Sequence, residues 1–109
     1  MLVVNRFVVP GDDTDFRARA GAALAALGAC PGYLRGRLGR AYDDPDQWTL
    51  ITEWASVGAY RRALSGYDVK VNATPLLAQS RDEASAFEIL GEADPGGPMV
   101  TIESDLARS

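Results

Sequence analysis

Residues 48–60 read WTLITEWASVGAY, and this stretch predicts a strand that runs directly into a helix. The strand alternates with a period of two, and one face carries four mostly bulky residues: Trp48, Leu50, Thr52 and Trp54. Ser56 follows where a helix N-cap is expected, and apolar spacing predicts a helix to about Leu64. Because Ile51 makes the other face partly apolar, we expect both faces to be covered and the strand to be central in a sheet.

The segment before this stretch contains a strand, a helix and another strand. Residues 2–9, LVVNRFVV, predict the first strand, which ends at a Pro-Gly pair. Acidic residues and an apolar stripe then predict a helix from about Thr14 to Ala29. Residues 33–42 predict the second strand, where Gly36 and Gly39 indicate a bend, a bulge or an edge position.

The segment after it completes the domain. A short helical or irregular piece is expected up to about Leu77, and residues 80–90 predict the fourth strand. Residues 91–99, GEADPGGPM, have the composition of a linker. We therefore assign residues 1–90 to one domain and residues 91–109 to a linker and tail. The strand-like part of this tail is expected to dock on a partner subunit or a sheet edge.

The order of elements predicts an α+β fold. The order β-α-β-β-α-β is the ferredoxin-like plan, a four-stranded antiparallel sheet with helices on one face. The first and third strands are expected to be central. Leu2, Val4 and Val8 would then expose apolar surface on the open face, so we predict a homodimer formed through that face.

Composition excludes several classes of function. The chain has 109 residues, a net charge of −4 and no histidine, and its arginines do not cluster, which argues against a nucleic-acid binder. With one cysteine and no histidine, a single chain cannot assemble the usual zinc, copper or haem ligand sets, nor a Ser-His-Asp triad. No membrane span or signal peptide is predicted, so we expect a cytoplasmic protein.

Three short motifs occur in a characteristic order. Asn5 lies in the first strand, Pro31-Gly32-Tyr33-Leu34 leads into the second, and Thr52-Glu53-Trp54-Ala55-Ser56, followed by Ala59-Tyr60, spans the strand-to-helix junction. Over about residues 2–90 this pattern resembles the antibiotic biosynthesis monooxygenase family. The resemblance implies a dimeric α+β barrel with a cavity between the sheet and its helices.

The resemblance also implies a chemistry. Some members of that family oxidise phenolic or anthrone-like aromatic substrates to quinones with O2, using no metal or flavin, so no cofactor is expected here. By the resemblance, Asn5 falls beside the cavity, while Trp54 and Tyr60 match positions that hold and orient the aromatic substrate. These three are the candidate catalytic residues.

The residues themselves leave alternatives open. Asn5 shares a strand face with Val3 and Phe7, and burying an unpartnered amide costs about 1–3 kcal/mol, so it either bonds to backbone or faces a wet cavity. In a cavity it would stabilise a developing oxyanion. Trp54 is either core or cavity wall, and Tyr60 is either a phenolic donor or the rim of a helix.

Candidate substrate-binding residues are Phe7, on the Asn5 face, and the pair Arg35 and Arg37 on the second strand. Solvated charges at a sheet edge explain the two arginines equally well. No general base is evident, because Glu53 is expected on the face opposite Trp54.

The haem-degrading branch of the same family needs two more residues. An ungapped comparison puts Ala63 where that branch has a helix tryptophan, and Asn72 where it has an axial histidine. The leading hypothesis is therefore a cofactor-free monooxygenase acting on an aromatic substrate. The alternatives are a non-catalytic module that binds a hydrophobic small molecule such as haem, and a dimeric assembly domain with a vestigial cavity.

Overall fold

The structure is a computed structural model that describes residues 1–106. Its elements in chain order are β1 (Leu2–Val8), α1 (Thr14–Gly28), β2 (Tyr33–Arg40), β3 (Gln47–Trp54), α2 (Val57–Leu64), α3 (Tyr67–Asn72), α4 (Thr74–Leu77), β4 (Ala86–Phe87), β5 (Gly91–Glu92) and β6 (Val100–Thr101). No helix in this range is long and apolar enough to cross a bilayer.

The main sheet has the predicted topology. Its four antiparallel strands lie in the order β2-β3-β1-β4, so the first and third strands are central. Residues Val3 and Asn5 of β1 pair with Thr52 and Leu50 of β3, which brings the inward side chains of both strands onto one face. The α+β ferredoxin-like fold is confirmed.

The hydrophobic core lies between this face and the helices. Buried residues of α1 recur at helical spacing, as expected for a helix that rests on a sheet: Phe16, Ala20, Ala23 and Leu27. Four residues of β3 point into the same layer and are buried: Trp48, Leu50, Thr52 and Trp54. The alanines of α1 let its backbone approach the sheet closely.

The junction between β3 and α2 is built as predicted. Ser56 is the N-cap of α2, and its Oγ accepts a hydrogen bond from the Ala59 amide at 3.1 Å. This bond satisfies one of the free N–H groups of the first helical turn. The helix therefore begins directly after the strand, and Tyr60 is carried back over Trp54.

The second face of the sheet is only partly covered within one chain. Residues of β3 on that face, such as Ile51, are half-buried, and Val8 of β1 is 52% exposed. The prediction that β3 is covered on both sides is therefore not met by a single chain. This surface, with Leu2, Val4, Ile51 and Phe87, is called the open face below.

The fourth strand is much shorter than predicted. Instead of spanning residues 80–90, β4 contains only Ala86 and Phe87. Residues before it touch β1 through isolated backbone bonds, Arg81 N–H to Arg6 O at 2.7 Å and Val4 N–H to Ser85 O at 2.6 Å. The polar sequence RDEAS has no alternating apolar pattern, so nothing holds this segment against the core as a continuous strand.

The tail folds back on its own chain. β5 and β6 form a separate two-stranded antiparallel sheet, and Ile102 N–H donates to Leu90 O at 2.9 Å. Met99 packs directly on Gly91, where a Cβ would overlap the methionine side chain. Docking of the tail on a partner subunit stays a prediction. The last three residues, 107–109, lie outside the described part of the chain.

Candidate active site

Trp54 is the centre of an aromatic cluster at the end of β3. Its ring lies 5.4 Å from the ring of Tyr60 on α2 and 5.4 Å from the ring of Tyr33 at the start of β2, measured between centroids. The Tyr33 contact is edge-to-face, with an interplanar angle of 86°. Trp54 is 1% exposed and both tyrosines are half-buried. The structure therefore brings together two of the three predicted catalytic residues.

The indole N–H of Trp54 already has a partner. Trp54 Nε1 donates to Thr52 Oγ1 at 2.9 Å, and Thr52 is 3% exposed. Because these residues are two apart on one strand, their side chains lie on the same face. This hydrogen bond fixes the orientation of the indole ring.

Asn5 lies elsewhere on the inner face of the sheet. It pairs with Leu50, four residues from Trp54, which places the two about 13 Å apart along the strand direction. Asn5 is 8% exposed, and its Nδ2 donates to Ser80 Oγ at 3.5 Å, a bond at the limit of hydrogen-bond length. Ser80 Oγ in turn donates to Leu77 O at 2.7 Å.

Phe7 belongs to a second aromatic group in the core. Its ring centroid is 5.2 Å from that of Phe16, which is itself 5.3 Å from that of Trp48. Arg17 and Arg40 each place a guanidinium 5.1 Å from the centre of the Trp48 ring. This group is densely packed, and Trp48 Nε1 has no hydrogen-bond partner among the described residues.

The two candidate arginines of β2 point to the open face. A bulge at Leu34 shifts the pairing, so Tyr33 is opposite Trp54 while Arg35 is opposite Glu53. Tyr33 therefore faces inward, whereas Arg35 and Arg37 face away from Trp54. Strict alternation along the strand would put Tyr33 on the same face as Arg35 and Arg37, and the bulge places it on the other face. Arg35 Nε lies 3.7 Å from the Glu53 carboxylate.

Five clefts with volumes between about 200 and 580 Å³ are lined by described residues, and Asn5, Phe7 and Tyr60 line none of them. Side chains fill the layer between sheet and helices around Trp54. The three candidate catalytic residues therefore do not share any of these five clefts.

The largest of these clefts, of about 580 Å³, opens beside Trp54. We call it the tail cleft, because residues 88–105 form one of its walls. Its apolar lining comes from Met1, Leu34, Val57, Ile89 and Ile102. Five carboxylates also line it: Glu53, Glu88, Glu92, Glu103 and Asp105. Glu88 holds the tail in place by accepting hydrogen bonds from Ser104 Oγ at 2.6 Å and from the Asp105 amide at 3.2 Å.

Burial changes the acidity of one member of the cluster. Desolvation raises the pKa of the Tyr60 phenol above its ordinary value, because the charged phenolate is disfavoured away from water. Tyr60 is therefore a neutral hydrogen-bond donor at physiological pH. Within residues 1–106, no three His, Cys, Asp or Glu side chains are placed to hold a metal ion.

Comparison with known families decides where the chain belongs. The sequence profile described as "antibiotic biosynthesis monooxygenase" matches residues 1–71, about two thirds of the chain. The chain belongs to the antibiotic biosynthesis monooxygenase family. The family match covers Trp54, Tyr60 and Asn5 but ends before the tail that forms one wall of the tail cleft.

Solved structures agree with this assignment. SnoaB, a cofactor-independent oxygenase from Streptomyces nogalater, is 32% identical to the chain. The alignment covers 84% of this chain and 96% of SnoaB, and a variant of SnoaB superposes with a TM-score of 0.66. A conserved protein from Methanosarcina mazei shares the fold at 19% identity, with coverage of 78% and 84% and a TM-score of 0.63.

A further structure, described as an antibiotic biosynthesis monooxygenase, is 17% identical, with coverage of 95% and 98% and a TM-score of 0.59. No curated protein sequence matches the chain.

Several residues of the tail cleft were not identified from the sequence. Glu88, Ile89 and Ile102 belong to segments predicted as the end of a strand or as a tail. The Gly/Pro-rich composition of residues 91–99 marks a turn, but it does not reveal that the chain returns to the end of β3. Met1 and Val57 gave no sequence signal at all.

Proposed function

We propose that this chain is a cofactor-independent monooxygenase that oxidises a phenolic or anthrone-like aromatic substrate to a quinone with O2. The observation that carries the proposal is the 32% identity to SnoaB, a cofactor-independent oxygenase, over 84% of the chain. Membership of the monooxygenase family supports the same reaction class. The substrate itself is inferred from the chemistry that such a site can perform.

The reaction balances without an added reductant. An anthrone carries an acidic CH2 group; loss of one proton gives an anthranolate that transfers an electron to O2 and then combines with it as a peroxide. Elimination of water from this peroxide places one oxygen atom on the ring as a quinone carbonyl, and the second oxygen leaves as water. The protein needs to bind the substrate, favour its anion and limit access of water.

The tail cleft is the proposed binding site. Its apolar residues offer contact to a flat aromatic molecule, and Trp54 is one of the residues that line it. Tyr60 packs on Trp54 as a neutral phenol, so it is proposed to orient the indole and to donate a hydrogen bond to substrate when the site opens. A cleft carboxylate such as Glu53 is a candidate for accepting the CH2 proton.

Asn5 lies on the inner face of the sheet, in the same core layer as Trp54 but away from the tail cleft, and it is proposed to contact the substrate from there. Its long 3.5 Å bond to Ser80 leaves the amide available for a stronger acceptor, such as a substrate oxyanion. Reaching it requires displacement of core side chains that lie between the inner face of the sheet and the helices. Phe7 would then be a wall of the enlarged site, whereas the position of Arg35 and Arg37 on the open face favours ion pairs over contact with this substrate.

The test is an aerobic assay with an anthrone that follows quinone absorbance. We expect turnover above the buffer rate, and we expect Asn5→Ala and Trp54→Phe each to lower kcat by about 10-fold or more if they stabilise the transition state. Val71→Ala, on the exposed side of α3, is the matched control. Absence of turnover with several anthrones would contradict the proposal, and unchanged rates in both variants would remove these residues from the site.

A second function is favoured by the filled interior. Asn5 lines none of the five clefts, and a hydrophobic molecule can bind in the tail cleft without reaching Asn5 and without being oxidised. Titration with a fluorescent aromatic ligand, and with haem, distinguishes the two functions. Saturable binding without turnover favours the binding module.

We also propose that the chain forms a homodimer through the open face. The apolar residues on that surface support this, because one chain leaves them in contact with water. A partner would cover β3 on its second side.

A further inference from the structure

We infer that Tyr33, Trp54 and Tyr60 form a one-electron relay that carries an oxidising equivalent from the buried indole to the protein surface. The relay is an activity separate from substrate oxidation. It rests on the proposed function in one respect, because the proposed reaction is the source of the oxidant. The three rings are in sequence, with Trp54 between two half-buried phenols at centroid distances of 5.4 Å. Electron transfer between aromatic rings at such a distance needs no bridging cofactor.

The surroundings of Trp54 favour a positive charge on its ring. Trp54 lines the tail cleft together with five carboxylates, of which Glu53 is partly offset by Arg35 at 3.7 Å. Negative charges stabilise an indole radical cation by Coulomb attraction. The Met1 ammonium donates a hydrogen bond to the Trp54 backbone carbonyl at 3.0 Å, so its contact is with the backbone and not with the ring. The hydrogen bond from Nε1 to Thr52 gives further support, because an oxygen acceptor stabilises the charged ring.

Trp48 provides a contrast within the same chain. Two guanidiniums lie 5.1 Å from its ring centre, and they oppose removal of an electron from the indole. Asp13 offsets part of this charge by pairing with both arginines, at 2.8 Å to Arg17 and 3.3 Å to Arg40. The ring nearest to Trp48 is Phe16, which has no hydroxyl and is hard to oxidise. Trp54 is therefore expected to be the more easily oxidised of the two tryptophans.

Each step of the relay balances. A substrate radical that escapes recombination with superoxide adds another O2 and becomes a peroxyl radical. This peroxyl radical takes one electron from the indole and becomes a peroxide anion, which leaves an indole radical cation. Tyr33 or Tyr60 then gives one electron to the indole and its phenolic proton to water, which forms a phenoxyl radical and restores Trp54. A small thiol reduces the phenoxyl radical by hydrogen-atom transfer and becomes a thiyl radical. The relay would thus remove a stray oxidant before it damages the core.

The test generates the tryptophan radical by light and needs no substrate. The background variant keeps only the three relay aromatics among the tryptophans and tyrosines, and it carries the substitutions Trp48→Phe, Tyr42→Phe and Tyr67→Phe. A laser pulse at the red edge of indole absorption ejects an electron from Trp54, and nitrate removes that electron. Transient absorption then follows the indolyl and phenoxyl radical bands.

We expect the indolyl band to decay as the phenoxyl band grows, at a rate independent of protein concentration. Replacing both Tyr33 and Tyr60 by Phe should abolish phenoxyl formation and prolong the indolyl radical. The single variants Tyr33→Phe and Tyr60→Phe should each keep part of the phenoxyl yield. The part that is lost measures how much electron transfer goes through the tyrosine that was replaced. The matched control keeps Trp48 and carries Trp54→Phe together with Tyr42→Phe and Tyr67→Phe. It should form no phenoxyl radical by first-order electron transfer.

Three results would overturn the relay: an indolyl lifetime unchanged by loss of both tyrosines, phenoxyl growth that scales with protein concentration, or equal transfer from Trp48. If the Trp48→Phe variant fails to fold, the comparison is made in a protein that keeps both tryptophans. The double variant Tyr33→Phe/Tyr60→Phe should then lose the first-order phenoxyl growth, whereas the double variant Tyr42→Phe/Tyr67→Phe should keep it. Because no substrate is involved, failure of the relay leaves the oxygenase proposal untouched, and an inactive oxygenase can still show the relay.

Discussion

Thr52 has a role that its position alone does not suggest. It is a polar residue in the buried face of β3, and its hydroxyl accepts the N–H of Trp54. Without that hydroxyl, the indole N–H would be buried with no acceptor. The Thr52–Trp54 pair therefore serves both the stability of the core and the orientation of the candidate site.

We expect Thr52→Val to lower the free energy of unfolding by about 1–3 kcal/mol, since valine keeps the shape and leaves the buried N–H unsatisfied. Urea denaturation followed by circular dichroism measures the change. Thr101→Val, at an exposed position of β6, is the control and should have little effect. Equal stability of the Thr52→Val variant and the wild type would mean that water or another group replaces the hydroxyl.

Tyr60 predicts a pH dependence of stability. Burial raises its pKa in the folded protein, so the folded chain holds the phenolic proton to higher pH than the unfolded chain does. The contribution of the protonated Tyr60 phenol to the free energy of unfolding is therefore complete below about pH 10, the ordinary pKa of the phenol. This contribution is lost as the pH rises through the pKa that the phenol has in the folded protein. Tyr60→Phe should lose less stability than the wild type over this alkaline range.

Urea unfolding at a series of alkaline pH values measures this difference. Tyr42→Phe, whose ring is fully exposed, is the matched control and should follow the wild type. Parallel stability curves for the wild type and Tyr60→Phe would rule out the proposed burial of the phenol.

At the scale of the elements, the turn that leads into β2 is held by a glycine. Gly32 has a φ of +89°, a conformation that L-residues avoid, and a Cβ placed there would overlap the side chain of Ala59 on α2. Its carbonyl also accepts the Ala55 N–H at 2.8 Å. This turn therefore sets how closely α2 packs beside β2.

Gly32→Ala is expected to destabilise the protein by more than about 1–2 kcal/mol, the cost of the backbone conformation alone, because the overlap adds to it. Gly21→Ala is the opposite control: it lies within α1, where an added Cβ meets nothing within 4 Å, and it should stabilise by about 0.5–1 kcal/mol. Thermal unfolding of both variants measures the contrast. Similar melting temperatures would argue against a rigid turn.

The elements differ in how far the sequence predicts them. β1, β3 and α1 are predicted because their burial follows a local period, which the sequence itself carries. β4 is not, since its short pairing depends on β1 and the polar residues before it give no pattern. The neighbourhood of Trp54 and Tyr60 is predicted by the tight strand-to-helix junction. The tail cleft is not, because one of its walls comes from a segment distant in sequence.

At the scale of the molecule, the open face is the surface through which we propose that the chain dimerises. We expect a dimer in solution, and we expect Ile51→Lys to convert it to monomers, because a charge would be buried at the centre of the interface. Val71→Lys places the same charge on the exposed side of α3 and should leave the dimer intact. Light scattering coupled to gel filtration gives the mass; a monomeric wild type would rule out the interface.

The bulge at Leu34 has a consequence for how relatives of this chain can vary. The extra residue lies between two pairs, Tyr33 with Trp54 and Arg35 with Glu53, that are already in consecutive register. Leu34 is one of the residues that line the tail cleft. A relative that lacks this one residue is expected to keep both pairs in register, because they already follow one another along β3. Its tail cleft would have room for a bulkier ligand. Deletion of Leu34 is thus expected to widen the proposed binding site while the register of the sheet is kept.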